Sequence, residues 1–246
     1  MSALADWQIA LGRAMQAGSH HQMLDDIHLA PDARARMARL CRSPGFRFTA
    51  KIQRSWCEAR SASGARLTLL ALSPEQRRDL VAEWVDRGGG RQSFLAGEAE
   101  GFLEFLAERL PEPSHALSLC RFERALLLAS EAATEFRSPD LARLDDADCL
   151  LMAGRHATLV AFHADIDPLF AALERKAALP PVTAITRSIV FAPGIPRLLR
   201  ATEPAEATLW QAIAAPITSA ALLRQGHARS QIEAFVAEGV AEIACP

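Results

Sequence analysis

Apolar positions recur at a spacing of three and four through most of the first 140 residues, and the spacing changes only after an acidic, polar stretch at Leu144 to Asp148. From Ala3 to Ala17 the pattern puts Leu4, Trp7, Ile9, Leu11 and Met15 roughly on one side of a helix, and Asp32 to Arg42 reads likewise through Met37 and Leu40. At Ser73-Pro74-Glu75-Gln76 three start signals agree: a serine cap, a proline at the first helical position, and a glutamine placed to return a capping-box bond. The helix that this opens carries Leu80, Val81, Trp84 and Val85 inward and stops at Gly88-Gly89-Gly90. Phe94 to Leu110, with Phe102, Phe105 and Leu106, and Ser114 to about Phe136 continue the series, separated by the breakers Pro111 and Pro113. Residues 1–145 are therefore expected to form a helical bundle.

Beyond residue 145 the pattern mixes short strands with short helices. Cys149 to Met152 and Ala157 to Phe162 are apolar runs around Gly154-Arg155, which predicts a hairpin. Ile166 to Lys176 predicts a short helix, and Pro180-Pro181 marks a connector. Thr186 to Phe191 and Arg197 to Thr202 predict two strands joined by Ala192-Pro193-Gly194-Ile195-Pro196. Helices at Glu203 to Ala214, Ser219 to Arg224 and Ser230 to Glu238 and a strand at Val240 to Ala244 complete the chain. Short helices beside a small sheet are the layout of a winged helix. The expected fold is mainly α with a small antiparallel sheet: an N-terminal helical bundle (1–145) and a C-terminal winged-helix-like α+β domain (146–246).

Composition narrows the function classes. A chain of 246 residues is long enough to bury about 70 to 75 % of its unfolded surface without metals or disulfides. Through Asp140 there are 18 basic and 18 acidic residues, and after it 9 basic and 11 acidic, so neither half has the charge of a nucleic-acid module. The five cysteines (Cys41, Cys57, Cys120, Cys149, Cys245) are widely spaced and form no Cys-x-x-Cys pair, which fits reduced thiols in a cytoplasmic protein. No basic stretch leads into an apolar run near Asp6 and Trp7, so no secretory signal is expected, and no run reaches the length of a membrane span.

Candidate chemistry is sparse. His156, His163, Asp165 and Asp167 form the densest polar cluster, but their spacing is not that of a metal site, and Asp165 and Asp167 stand where a helix start favours acids. His20-His21 is a weaker pair still. The glycine run follows a helix rather than a buried strand, so it is not expected to cradle phosphate. No nucleophile elbow, Walker loop or dinucleotide fingerprint occurs. The absence of tyrosine and an aromatic content of 6 % give no support to a base-stacking platform. In the winged-helix-like part, the natural recognition helix Ser230 to Glu238 holds two acids and no base, and Arg187 to Pro246 contains five Arg and five Glu. Major-groove entry normally brings cations to phosphate and guanine edges. A DNA-binding transcriptional regulator is thus the second reading, not the first.

Two segments resemble a known family. They are the helix Pro113-Ser114-His115-Ala116-Leu117-Ser118-Leu119-Cys120-Arg121-Phe122-Glu123-Arg124-Ala125-Leu126, and the stretch Val190-Phe191-Ala192-Pro193-Gly194 through Arg200-Ala201-Thr202-Glu203-Pro204-Ala205-Glu206-Ala207-Thr208-Leu209-Trp210. They are similar to MbnC-like partner proteins of multinuclear iron enzymes that modify ribosomal peptides, a family also labelled a DNA-binding domain. The resemblance implies an accessory subunit with no catalytic residue, metal or cofactor of its own. Its helical part would dock on an iron-dependent, MbnB-like oxidase, with Arg121, Glu123 and Arg124 at the partner interface, and its C-terminal part would hold the leader of a precursor peptide. Iron, and oxidation of a peptide cysteine as in methanobactin biosynthesis, would belong to the partner.

An extended leader can bind by adding a strand to an open sheet edge. The strands Thr186 to Phe191 and Arg197 to Thr202 are the expected receiver, with Arg187, Arg197 and Arg200 for leader acids and Ile189, Phe191 and Leu199 for apolar contacts. Period-two alternation requires some of these side chains to face the core instead.

Overall fold

The computed structural model describes residues 3–16, 29–91, 95–146 and 148–244. The expected positions Ala17, His20, His21, Phe94 and Cys245 lie outside them. The chain divides into two compact units, Met1–Phe105 and Leu106–Pro246. The division falls inside a helix, earlier than the change of pattern at residue 145.

The first unit is helical: α1 (Ala3–Gln16), α2 (Pro31–Arg42), α3 (Pro44–Gly64), α4 (Arg66–Leu70), α5 (Pro74–Asp86) and most of α6 (Leu95–Ala107). Ser43 joins α2 to α3 by doing two jobs. Its hydroxyl donates to the Leu40 carbonyl at 2.7 Å and accepts from the Phe46 N–H at 3.3 Å, while Pro44 fills the first helical position of α3. The same chemistry opens α5, where Ser73 and Gln76 form the reciprocal capping box. Ala10, Ala14, Met37, Cys41 and Phe46 form a core where α1, α2 and α3 meet. Trp84, Phe102 and Phe105 form an aromatic cluster with centroids 5.2 to 6.1 Å apart, Phe102 stacked on Phe105 and Trp84 tilted against both.

The glycine run after α5 does hold an acidic side chain, and the protein supplies it. Glu98 is fully buried and accepts from Trp84 Nε1 at 2.9 Å, from the Gly90 N–H at 2.5 Å and from the Arg91 N–H at 3.0 Å. Gly90 has φ +82°, and a Cβ there would lie 2.5 Å from the Cβ of Cys57, so glycine is required on two counts. A buried carboxylate is tolerable because these donors replace its hydration.

Among the described residues, the second unit combines α7 (His115–Ala133), α8 (Ile166–Arg175), α9 (Pro204–Ala212), α10 (Ser219–Arg224) and α11 (Arg229–Ala237) with six strands. The strands are β1 (Leu150–Ala153), β2 (Thr158–Phe162), β3 (Arg187–Phe191), β4 (Leu199–Ala201), β5 (Ile217–Thr218) and β6 (Ala241–Ala244). They form two antiparallel sheets rather than one, ordered β5-β1-β6 and β2-β3-β4. The expected hairpin is therefore wrong, since β1 pairs with β5 and β6 while β2 pairs with β3. Gly154 is where the chain leaves one sheet for the other. Its N–H donates to the Val240 carbonyl at 2.8 Å, and a Cβ would lie 2.3 Å from the Gly239 carbonyl oxygen, a contact that only glycine permits. The second strand expected at Arg197 to Thr202 starts late, at Leu199, because Arg197 and Leu198 are left-handed with φ of 62° and 70°.

Pairing register puts Val160, Phe162, Ile189 and Phe191 on one face of the β2-β3-β4 sheet and Leu159 and Val190 on the other. On the first face Phe122 of α7 meets Phe162, Phe170 and Phe191 edge-on at 5.2 to 6.0 Å. On the second, Val190 joins Leu151, Leu209, Ile213, Leu222, Ile232, Phe235 and Val240. The order α9-β5-α10-α11-β6 is winged-helix-like, with β1, which precedes these helices in the chain, as the middle strand.

Phe122→Ala removes the ring that contacts three others, and it should destabilise the second unit by about 3 to 5 kcal/mol in urea denaturation. Ser43→Ala, the loss of one cap, should cost only about 1 kcal/mol.

Candidate functional site

The residues expected to hold a peptide do not converge on one surface. Ile189 and Phe191 are buried, and they sit on β3, whose two edges are already taken by β2 and β4. Arg187 and Arg197 are exposed, and Leu199 is half-buried. Arg200 turns inward: its Nε and Nη2 donate to Glu238 at 3.0 and 2.8 Å, and its Nη1 donates to Glu206 at 2.8 Å. The hydrogen bonds to Glu206 and Glu238 push the guanidinium pKa well above its ordinary value. Burial alone would raise the Glu206 carboxyl. The bonds from Arg200 and from the Glu203 N–H outweigh it and hold the group below the usual carboxylate range. This triad ties β4 to α9 and to the C-terminal cap of α11. The outer edge of β4 is short, and Arg200 Nη1 also donates to the Ala201 carbonyl at 3.2 Å, which occupies one of the acceptors a peptide would use.

The three residues expected at a partner interface share α7 but not a role. Arg121 is exposed and grips Glu112 with both terminal nitrogens, at 2.7 and 3.0 Å. Glu123 and Arg124 are half-buried on either side of the line that Phe122 takes into the core.

The better-formed feature lies along β6. The Gly154 N–H to Val240 bond sets the ladder phase, so residues 240, 242 and 244 turn their main-chain groups toward β1. Ala241 and Ile243 then turn theirs outward, on the side of β6 where no described strand pairs. A groove of about 410 Å³ runs there, with Ala241, Glu242 and Ile243 on its wall. Phe136, Pro193 and Val236 form its apolar side, and Arg137, Arg143, Arg155 and His156 line it with cationic or polar tips, against Glu135 and Glu242. Gly194 and Gly239 shape the wall, since a Cβ at either would come within 2.6 Å of the Phe136 ring. Arg155 is held at its mouth, its main-chain N–H donating to Glu242 Oε1 at 3.0 Å with the guanidinium 76 % exposed.

None of these groove residues was singled out from the sequence except His156, which was weighed as a metal ligand. The available signal was the alternation Ala241-Glu242-Ile243 in the last strand; what it could not show was which side of that strand stays unpaired.

Other chemistry is weak at this unit. Among the described residues no group of three or more His, Cys, Asp and Glu is placed to hold a metal ion. Asp165 occupies the cap position of α8 without making a side-chain cap bond, and His163 Nδ1 meets the Thr183 carbonyl at 3.2 Å. Cys41, Cys57, Cys120 and Cys149 are buried free thiols, and burial pushes the pKa of Cys41 and Cys149 up, away from the thiolate. The one arginine of α11, Arg229, is paired with Glu233 at 2.8 Å and Asp145 at 2.7 Å. Among the described residues no helix is long and apolar enough to cross a membrane.

Because Glu206 titrates lower in the folded protein than in the unfolded chain, its contribution is present above the unfolded value of about 4.3 and is lost as pH falls through the lower folded value. Thermal melts from pH 6 to 3 should show a falling Tm in the parent and a shallower fall in Glu206→Gln, which starts from a lower Tm at neutral pH. A parallel pair of curves would remove the triad from the stability of this unit.

Compared with protein-family models the chain matches none, and it has no significant match among curated protein sequences.

Proposed function

We propose that this chain is a non-catalytic subunit that holds the leader of a ribosomal precursor peptide as an added strand on β6 and presents the peptide's cysteines to an iron-dependent oxidase. The observation that carries the peptide reading is the outward main-chain edge of the half-buried Ile243, next to the buried Ala241, in a groove with arginines on its wall. Main-chain pairing there gives affinity that tolerates sequence variation, the half-buried Phe136 and Pro193 offer apolar contacts to alternate side chains, and Arg137 and Arg155 suit acids in the leader. The assignment to precursor-peptide chemistry, and to an MbnB-like partner that contributes the iron, comes from the resemblance of the α7 and Val190–Trp210 segments.

The second reading, a winged-helix transcriptional regulator, is supported by the order of α9, α10 and α11. It is disfavoured by the charge of α11, whose one cation is already neutralised within the protein.

The test is titration of a fluorescently labelled leader peptide against the full chain. Ile243→Pro deletes an outward N–H without touching the β1 ladder, and Arg155→Glu reverses the charge at the groove mouth; each should weaken binding by about tenfold or more. Arg197→Glu, in the turn before β4 of the other sheet, should leave binding unchanged. Full affinity in folded Ile243→Pro and Arg155→Glu moves the peptide elsewhere, and a loss confined to Arg197→Glu moves it to the β4 edge.

Elemental analysis adds an independent check. The chain purified alone should hold no stoichiometric iron or zinc, and its complex with the oxidase should hold iron. About one metal per chain retained against chelator in the isolated protein would give this subunit a metal role of its own.

A further inference from the structure

Helix α3 is apolar on two faces. Phe46, Cys57 and Ser61 are buried on one side. On the other, Phe48, Ile52 and Trp56 follow at every fourth position and are 67, 46 and 67 % exposed. At 3.6 residues per turn these three fall within an arc of about 80° and a length of about 12 Å, pointing away from the buried face. Single exposed apolar side chains are ordinary, whereas an aligned Phe, Ile and Trp row on a core helix marks a contact surface.

The charge around this row is one-sided. Arg47 and Lys51 flank it on one side, Thr49 and Gln53 on the other, and all four are exposed. The preceding helix α2 adds exposed Arg36, Arg39 and Arg42. None of these five cations has an ion pair with a described residue, whereas Arg54, farther round α3, is matched by Glu58 at 2.9 Å and by Asp86. Residues 31–64 contain eight basic and two acidic residues in a chain whose net charge is −2. An unneutralised basic flank beside an aromatic row calls for an acidic partner.

We propose that the Phe48-Ile52-Trp56 row, with Arg47 and Lys51 beside it, docks on a partner protein that offers an apolar pocket edged by carboxylates on one side. Exposed Trp and Phe with adjacent arginine are the side chains that dominate protein interfaces. A strand of nucleic acid would want successive aromatic faces at base spacing, and here an isoleucine separates the two rings along the row. A planar anionic membrane would favour cations on both flanks, and Thr49 and Gln53 leave one flank uncharged. The inference deepens the subunit reading and rests on it only for the partner being an oxidase; the surface rests on α3.

The experiment places a photocrosslinker by Trp56→p-benzoylphenylalanine in the full chain in its native host, identifies the adduct by mass spectrometry, and titrates the identified protein at about 0.05 and 0.3 M salt. One protein should dominate the adducts. Phe48→Ala and the double variant Arg47→Glu with Lys51→Glu should each weaken its binding by about tenfold or more, the second only at low salt, with melting temperatures near the parent's because all three side chains are exposed. The proposal is overturned by adducts to lipid or nucleic acid alone, by the absence of a protein adduct, or by unchanged affinity in both variants. A dominant adduct to a protein without iron keeps the docking surface and removes the oxidase assignment. Loss of the adduct with intact leader binding at β6 removes the docking surface and keeps the peptide reading.

Discussion

Ile189, Val190, Phe191 and Ala192 are all buried, although neighbours along a strand face opposite ways. Such a run is stable only in a sheet covered on both faces. The second unit is built to meet that requirement. Phe122 brings α7 onto the face of Phe191 and Phe162, and the helices around Leu209 and Phe235 cover the face of Val190. With β2 and β4 on either side, β3 has no main-chain group to offer a ligand. That is why the apolar residues of this strand serve the core, and why open edges have to be sought on the outer strands.

Charge follows the same economy. A desolvated ion is costly unless it is paired and hydrogen-bonded, so the half-buried Arg200 is met by two carboxylates, one on α9 and one at the C-cap of α11. In the first unit the buried Glu98 is met by an indole and two main-chain N–H groups. In both places a charged residue that could have served recognition is consumed by the protein itself. Exposed cations remain beside the β6 groove and on α2 and α3, as they do at Arg187 and Arg197.

Much of the fold was legible in the sequence because its signals are local. The capping box at Ser73, the helices α8 to α11 and the strand at β3 all follow from residues within one or two turns of each other. The helix α3 was passed over although Ser43-Pro44 repeats the Ser73-Pro74 signal, because its apolar residues lie on two faces and blur the period. Strand pairing was not legible. The runs around Gly154 look like a hairpin locally, and only the close approach of Gly154 to Gly239, far along the chain, sends them into different sheets. The candidate site was missed for the same reason, since an unpaired edge is a property of sheet order, and Arg200 was misjudged because its partners, Glu206 on α9 and Glu238 at the end of α11, lie apart in the sequence.

The β5-β1-β6 sheet also sets an order of events. Its middle strand is made first, yet Leu150 pairs with Thr218 and Ala244. At a synthesis rate of about 5 to 20 residues per second, β1 waits roughly 5 to 20 s for its second neighbour. Until β5 is made, Leu151, fully buried in the finished fold, belongs to a nascent apolar strand with neither edge satisfied, and until β6 is made one edge stays open. The groove wall at Ala241 and Ile243 comes into being only when that wait ends, so the same step that protects the nascent chain from mispairing also creates the unpaired edge of β6.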